Sequence, residues 1–341
     1  MTPQPTFAAA VAEQLLEYAA RYGVDTTPIG ARIGLNEHEA SSLDARIAAE
    51  SVLALWEELP KACRDDEFGL NFGASIARPT SNLGTLLLSS ADTLHQGITR
   101  FLENEVAFNS LVPTRLEVTA GEARIVVDPA RAAGISVPRH ALEAVLAWWW
   151  GMIEHAVATP ITARSVEFIH VEPRVTREHR NTFGVEPRFE CPRCVLAFEP
   201  ELLERRLATR SAQLGSIAEH AAQRLAESAA TASGDPIEAI RLRMASALDQ
   251  GMTPSQQSIA KAMGLSTRTL QRNLSVGGTS FTTLYDDVRR ERAENMLRQS
   301  SMSMQGIARR LGYRDAAGFF RAFRRWTGST PGEFRSAHQP H

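Results

Sequence analysis

The run Ser266-Thr267-Arg268-Thr269-Leu270-Gln271-Arg272-Asn273-Leu274 sets Arg268, Gln271 and Arg272 among apolar residues that recur at i and i+4. Arg presents a planar fork of donors that pairs with guanine, and Gln offers the donor and acceptor that match adenine. The competing use of the same side chains is contact with phosphate, where most protein contacts to a duplex fall. Arg321, Arg324 and Arg325 accompany a second such run, in which Phe319 and Phe323 are the apolar pair. For Arg324 and Arg325, phosphate is the expected partner. Trp326, at the end of that run, is expected in the core.

Two other groupings carry chemical potential. Cys191-Pro192-Arg193-Cys194 has the spacing of a zinc or redox pair, but zinc takes four ligands and Cys63 is the one other cysteine. The missing ligands would have to come from residues such as His170 or His179. The segment alternates like a strand through Phe189, Cys191, Val195 and Phe198, where a cysteine is simply a small apolar residue, so a structural role is expected. Trp148-Trp149-Trp150 lies in a helical stretch whose stripe Leu142, Val145, Leu146, Trp149 and Ile153 belongs to a core. Trp148 shares another face with Met152 and His155. Trp148 and Met152 are therefore the candidates for contact with a small ligand, against plain packing as the expected use.

His140, His155, His170 and His179 have no tight ligand spacing, and HExxH, GxSxG, Walker and GxGxxG patterns are absent from the sequence. Neither catalysis nor a cofactor nor a bound metal is expected. With 341 residues and 43% apolar content, the chain has material for two or three domains. Its net charge of −2 hides an asymmetry, since residues 236–341 hold 16 Lys and Arg against 8 Asp and Glu. The cations there are arginines except Lys261, and an acidic remainder beside a basic segment suggests that one domain meets a polyanion. Three cysteines make no disulfide framework, and neither a signal peptide nor a membrane-length apolar run is read, so a soluble cytoplasmic protein is expected.

The elements that must hold these residues follow from the spacing. The first hundred residues read as helices, with Phe7, Val11, Leu15 and Tyr18 on one face of the first and another from Ile47 to Leu59. TRLEVTAGEARIVVDP alternates on either side of Ala120-Gly121-Glu122, as a β-hairpin does. ARSVEFIHVEP and PRFECPRCVLAFEP supply two more strand-like runs, separated from the hairpin by a helix over about 139–158. An Ala- and Ser-rich segment then leads to Asp235, a helix cap, and Pro236 in a first helical turn, which puts a domain boundary near Gly234.

The last hundred residues contain one pattern twice. Ile259, Ala260, Met263 and Gly264 recur 48 positions on as Ile307, Ala308, Leu311 and Gly312. Leu270, Arg272 and Leu274 recur as Phe319, Arg321 and Phe323, and Gly278-Thr279-Ser280 is echoed by Gly328-Ser329-Thr330. Each copy reads as a short helix, a tight turn at glycine, a polar cap (Ser266, Asp315), and a second helix with an apolar inner side. That is the layout of a helix-turn-helix, whose second helix enters the major groove. Leu284, Val288 and Leu297 mark a connecting helix over about 282–298, ~24 Å long, which would space the copies for successive grooves ~34 Å apart. Arg289, Arg290 and Arg292 on it read as ion-pair partners of Asp286, Asp287 and Glu291.

The stretches IAKAMGLSTRTLQRNL, GTSFTTLYDDVRRERAENML and IARRLGYRDAAGFFRAFRRWTGSTPGEFR, between Asp235 and Arg335, resemble the AraC/XylS family of transcription regulators. Upstream, LGTLLLSSADTLHQGITRF and VEFIHVEP are similar to the arabinose-binding-like regulatory domain of one branch of that family. The resemblance implies an α+β regulatory domain over 1–207, an Ala/Ser-rich helical linker over 208–234, and an all-α domain of two helix-turn-helix units over 235–341. It implies a sequence-specific, ligand-responsive DNA-binding regulator, expected to be an activator. Promoter DNA, a small organic effector, RNA polymerase and a second copy of the chain are the implied partners. By similarity, the base-facing positions are Arg268, Gln271 and Arg272 in the first copy and Ala316, Ala317, Phe320 and Arg321 in the second. The second set offers mainly van der Waals contact, which suits thymine methyl groups or a less specific grip. The alternatives are a redox- or metal-sensing regulator acting through Cys191 and Cys194, and a repair enzyme with an alkyl-accepting cysteine domain fused to the same unit. The latter would need a multi-cysteine zinc site near the N-terminus, where only Cys63 stands.

Overall fold

The N-terminal unit begins with a strand where the hydrophobic spacing predicts a helix. The structure, a computed structural model, describes residues 5–33, 35, 45–78, 81–108, 112–119, 121–129, 135–157, 161–232, 235–299 and 302–338. Strand β1 (Thr6–Ala8) precedes helix α1 (Ala9–Ala20) and α2 (Thr27–Arg32), and pairs antiparallel with β2 (Arg46–Ala48) so that Phe7 faces Ile47. Phe7 is therefore not on the helical face that carries Leu15 and Tyr18. Helices α3 (Ala49–Cys63), α4 (Phe68–Ile76), α5 (Leu83–Ser89) and α6 (Leu94–Glu103) complete the predicted helical stretch.

The predicted hairpin forms as β3 (Thr114–Val118) and β4 (Ala123–Val127); Ala120, assigned to its turn, lies outside the described residues. After α7 (Arg139–Val157) come β5 (Ser165–Glu167), α8 (Arg177–Phe183) and β6 (Cys194–Phe198). The four strands make one antiparallel sheet in the order β3-β4-β6-β5, with Cys194 opposite Val127. Ala163, Val166, Phe168 and Phe198 join the large core beneath it.

Helix α7 runs through the centre of this core. Gly69 and Gly73, one turn apart on α4, let its backbone lie on that of α7: a Cβ on either would stand 2.3 Å from the carbonyl oxygen of His140 or Ala144. Because α7 is covered around most of its surface, with Glu154 and His155 exposed, Trp148, Trp149, Trp150 and Met152 are all buried. Trp148 is packed, the use expected of it, and meets Phe101 at 4.9 Å between ring centroids above Gly84. A helix apolar on all sides is a buried helix, and the single stripe understated this one.

The same helix buries a carboxylate. Glu143 has no exposed surface, and its Oε1 accepts a 3.1 Å hydrogen bond from His179 Nε2. His140 Nδ1 stands 3.2 Å from Oε2, and His170 Nε2 and Arg139 Nη1 each stand 3.7 Å from Oε1. Burial alone would raise the carboxyl, but the contacts with His140 and His179 and the charge of Arg139 hold it down at about 2.

The Ala/Ser-rich segment forms helix α9 (Ala212–Ala232), which packs on the N-terminal unit. Ala218, Ala222, Ala226 and Ala229 are buried at one-turn spacing, and the small side chains permit the close approach. Arg100 of α6 pairs with Glu219 at 2.6 Å. The chain divides into two compact units, Met1–Ser233 and Gly234–His341, and Gly234 itself lies outside the described residues. Among the described residues, no helix is long and apolar enough to cross a membrane.

The second unit is all helical: α10 (Pro236–Asp249), α11 (Gln256–Ala262), α12 (Thr267–Val276), α13 (Phe281–Gln299), α14 (Met304–Arg310), α15 (Ala316–Thr327) and α16 (Pro331–His338). It has two separate cores. Leu284 and Val288 of α13 pack with α10, α11 and α12, whereas Ala293 and Leu297 pack with α14 and α15. Nine residues separate Leu284 from Ala293, which at 3.6 residues per turn is a rotation of ~180°. The connecting helix thus serves the two repeats from opposite faces.

Replacing Gly73 with Ala should weaken the N-terminal unit by about 3 kcal/mol or prevent its folding, since the obstacle is backbone and cannot turn aside. Urea titration of the full chain measures it. Glu143 titrates lower when folded than its ordinary 4.5, so its ionised form adds stability above about pH 4.5 that is lost as pH falls toward 2. Glu143→Gln should cost about 3 kcal/mol near neutral pH, and the gap to the wild type should close across that acid window. A gap unchanged with pH contradicts the assignment.

Candidate nucleic-acid interface

Each repeat is built by the same local devices. Ser255 caps α11 through a capping box with Ser258, and Ser303 caps α14 by accepting from Gly306 N at 3.1 Å. These serines also stand 48 positions apart, an element of the repeat the sequence comparison overlooked. Gly264 and Gly312 end the first helices with φ of +65° and +80°, a conformation that strains any residue with a Cβ. Ser266 then accepts from Thr269 N at 3.1 Å and Asp315 from Gly318 N at 2.7 Å, which starts α12 and α15. Leu270 and Leu274 point α12 into the first core, and Phe319 and Phe323 point α15 into the second.

With the apolar sides so fixed, the polar sides are free. Arg268, Gln271 and Arg272 are exposed on α12; Gln271 Nε2 donates to Gln256 Oε1 of α11 at 2.8 Å. Neither Arg268 nor Arg272 makes an ion pair among the described residues. On α15, Ala317, Phe320, Arg321, Arg324 and Arg325 are exposed and Ala316 is half-buried. Phe320 is 38% exposed beside its buried neighbour Phe319, an unusual position for a large aromatic side chain. Val276, at the end of α12, is 85% exposed and was not singled out from the sequence; its place outside the Leu270/Leu274 pair was the available signal.

Arg325 is the exception among these arginines. It donates to Asp286 Oδ2 of α13 at 2.7 Å, and Arg289 pairs with the other oxygen of that carboxylate. Arg290 pairs with Asp287, while Arg292 reaches Asp249 of α10 at 2.8 Å and Arg241 of α10 reaches Glu291 at 2.8 Å. Trp326 is half-buried and packs on the second core with Tyr313, as expected of a core residue.

The remaining candidates lie in the N-terminal unit. Trp148 and Met152 are packed in its core, one against Phe101 and the other fully buried. Cys194 is fully buried in β6, and burial pushes its thiol up to about 12. Burial also raises Cys191, whose Sγ donates to Phe189 O at 3.5 Å. Thiols held protonated in this way make poor nucleophiles and poor redox centres. Among the described residues, no group of three or more His, Cys, Asp and Glu is arranged to hold a metal ion.

Known proteins share both units. Residues 23–207 match the family described as the arabinose-binding domain of AraC transcription regulator, N-term, and residues 259–337 match the helix-turn-helix domain family. The ornithine utilization regulator of Pseudomonas aeruginosa is 28% identical over 337 residues, 96% of each chain. The HTH-type transcriptional regulator VirS of Mycobacterium tuberculosis is 28% identical over 207 residues, 60% of this chain and 58% of its own. Among solved structures, the transcriptional regulator CdpR of Pseudomonas aeruginosa aligns with a TM-score of 0.41 and 21% identity, over 83% of this chain and 90% of that one.

Proposed function

The chain belongs to the AraC family of transcription regulators, in the branch with an arabinose-binding-type N-terminal domain, and from this we propose a ligand-controlled activator that reads promoter DNA through two unequal helices. Its DNA-binding domain is the helical unit beginning near Asp235, and its sensing domain extends through α9, which packs on the N-terminal unit. The observation that carries the asymmetry is the contrast between two exposed helical faces. Arg268, Gln271 and Arg272 on α12 offer hydrogen bonds to guanine and adenine. Ala316, Ala317 and Phe320 on α15 offer apolar contact suited to thymine methyl groups, with Arg321 beside them and Arg324 on the backbone. Arg325 meets phosphate only by sharing or leaving Asp286.

The effector is a small organic molecule held by the N-terminal domain. The full-length likeness to an ornithine utilization regulator makes ornithine the first compound to try. Trp148 and Met152 would serve such a site from within the core, by shaping its wall, because neither is exposed. Activation requires contact with RNA polymerase once the effector is bound, and a second copy of the chain on a neighbouring site is the simplest further partner.

Binding to a fragment from upstream of its own gene should be specific and should weaken steeply between ~50 and ~200 mM salt. Arg272→Ala should cost about 1–3 kcal/mol on that fragment and little on random duplex, whereas Arg324→Ala should weaken both alike and flatten the salt slope by about one unit. Equal affinity of the wild type for random and promoter DNA overturns the reading. For the effector, L-ornithine and a panel of amino acids are added to the full chain in a thermal melt. A true effector at ~100 times its Kd stabilises the fold by ~2.7 kcal/mol and raises a promoter-driven reporter. A melting point unmoved by the whole panel removes amino acids as effectors, and a reporter that falls makes the protein a repressor.

A further inference from the structure

The two repeats share a helix but not a core. Leu284 and Val288 hold α13 to the first repeat, Ala293 and Leu297 hold it to the second, and the two sets face opposite ways. Apolar packing by itself therefore leaves each repeat its own seat on α13, and something between the seats must set one against the other. Arg289 lies there. At ~100° per residue it falls between the two apolar faces.

Its guanidinium is held by aromatic rings from both sides. Arg289 Cζ stands 4.2 Å from the ring centroid of Tyr285, which packs against the first core. It stands 4.7 Å from that of Tyr313 and 5.9 Å from that of Trp326, both of which pack against the second. Asp286 completes the cage from its rim, accepting from Arg289 and from Arg325 at the end of α15. The turn of the second repeat is also close by: a Cβ on Gly312 would lie 3.1 Å from the Tyr285 hydroxyl and 3.3 Å from Oγ1 of Thr253, just ahead of α11. The connecting helix and the turn and last residues of the second repeat thus converge on one cation, with the entry to the first repeat beside that turn.

We propose that Arg289 is a positioning residue that fixes the separation of the two recognition helices, so that the protein accepts paired DNA half-sites at one spacing. The inference rests on the reading that both α12 and α15 meet DNA. A planar cation suits this task better than an apolar side chain. Its attraction to ring faces and its bond to one oxygen of Asp286, whose other oxygen holds Arg325, both depend on direction, so tilting one repeat about α13 breaks several contacts at once. A leucine or methionine there would fill the same volume while tolerating the tilt.

The test uses the full-length protein and a library of randomised 40-base-pair duplexes, carried through rounds of selection with wild type and with Arg289→Met. Wild type should enrich two sequence boxes at a single separation. Arg289→Met should enrich the same boxes at separations scattered by about one or two base pairs, and should bind the wild-type duplex about tenfold more weakly while single-box affinity changes less than about twofold. Arg289→Lys, which keeps the charge but loses the planar guanidinium, should leave the separations scattered, and a narrow distribution with lysine overturns the role given to planarity. If Arg289→Met does not fold, Asp286→Asn carries the same expectation from the other side of the cage. An unchanged single spacing in the folded variant overturns the proposal and leaves the two-helix reading standing. Enrichment of one box alone by wild type overturns the two-helix reading, and the positioning role with it.

Discussion

A helix can present only so much surface, and α13 must divide its own between two cores. The second unit's design follows from that division. A turn and a half of apolar residues is spent on one repeat, a turn and a half on the other, and the half-turn of rotation between them prevents the cores from merging. Charge adds to this packing: Arg241 and Arg292 tie α10 to α13 within the first repeat, and Asp286 of α13 holds Arg325 at the end of α15. Short helices such as α11 and α14 have little stability of their own. They stand because caps and positive-φ glycines fix their ends and the shared helix gives them a surface to cover.

The N-terminal unit solves the opposite problem. There one helix, α7, is buried along most of its length, and the glycines of α4 bring the two backbones close enough to exclude any side chain between them. Enclosure makes Glu143 costly unless it is fully partnered, and three imidazoles and Arg139 gather around it. The carboxylate lies on the helix that also carries the three tryptophans, so the polar and aromatic parts of the core move together or not at all.

Much of the DNA-binding unit was legible because its signals are local. Gly264 and Gly312, Ser266 and Asp315, and the Leu270/Leu274 and Phe319/Phe323 pairs each specify a turn, a cap or a face within a few residues. The strands β1 and β2 were not legible, since three residues are too few to show a period and their pairing spans forty positions. Packing was the expected use of Trp148, but its partners were not legible, since α6 and Gly84 reach that face of α7 only through the fold. Arg289 could be read as an ion-pair partner within its helix, and that much is present, but Tyr313 and Trp326 reach it only through the fold.

The internal pairing has an electrostatic effect at long range. Asp249, Asp286, Asp287, Glu291 and Glu294 are all engaged by arginines of the α10–α13 framework or of α15's last turn, so the carboxylates of this basic unit do their neutralising inside it. Arg268, Arg272 and Arg321 are left with their charge uncompensated on the exposed sides of α12 and α15. The exposed positive charge of the unit thus includes these two helices, along with Lys261, Arg309, Arg310 and Arg314 on the elements beside them. A polyanion approaching by diffusion is drawn to these unpaired side chains, and the pull shortens in range as salt rises.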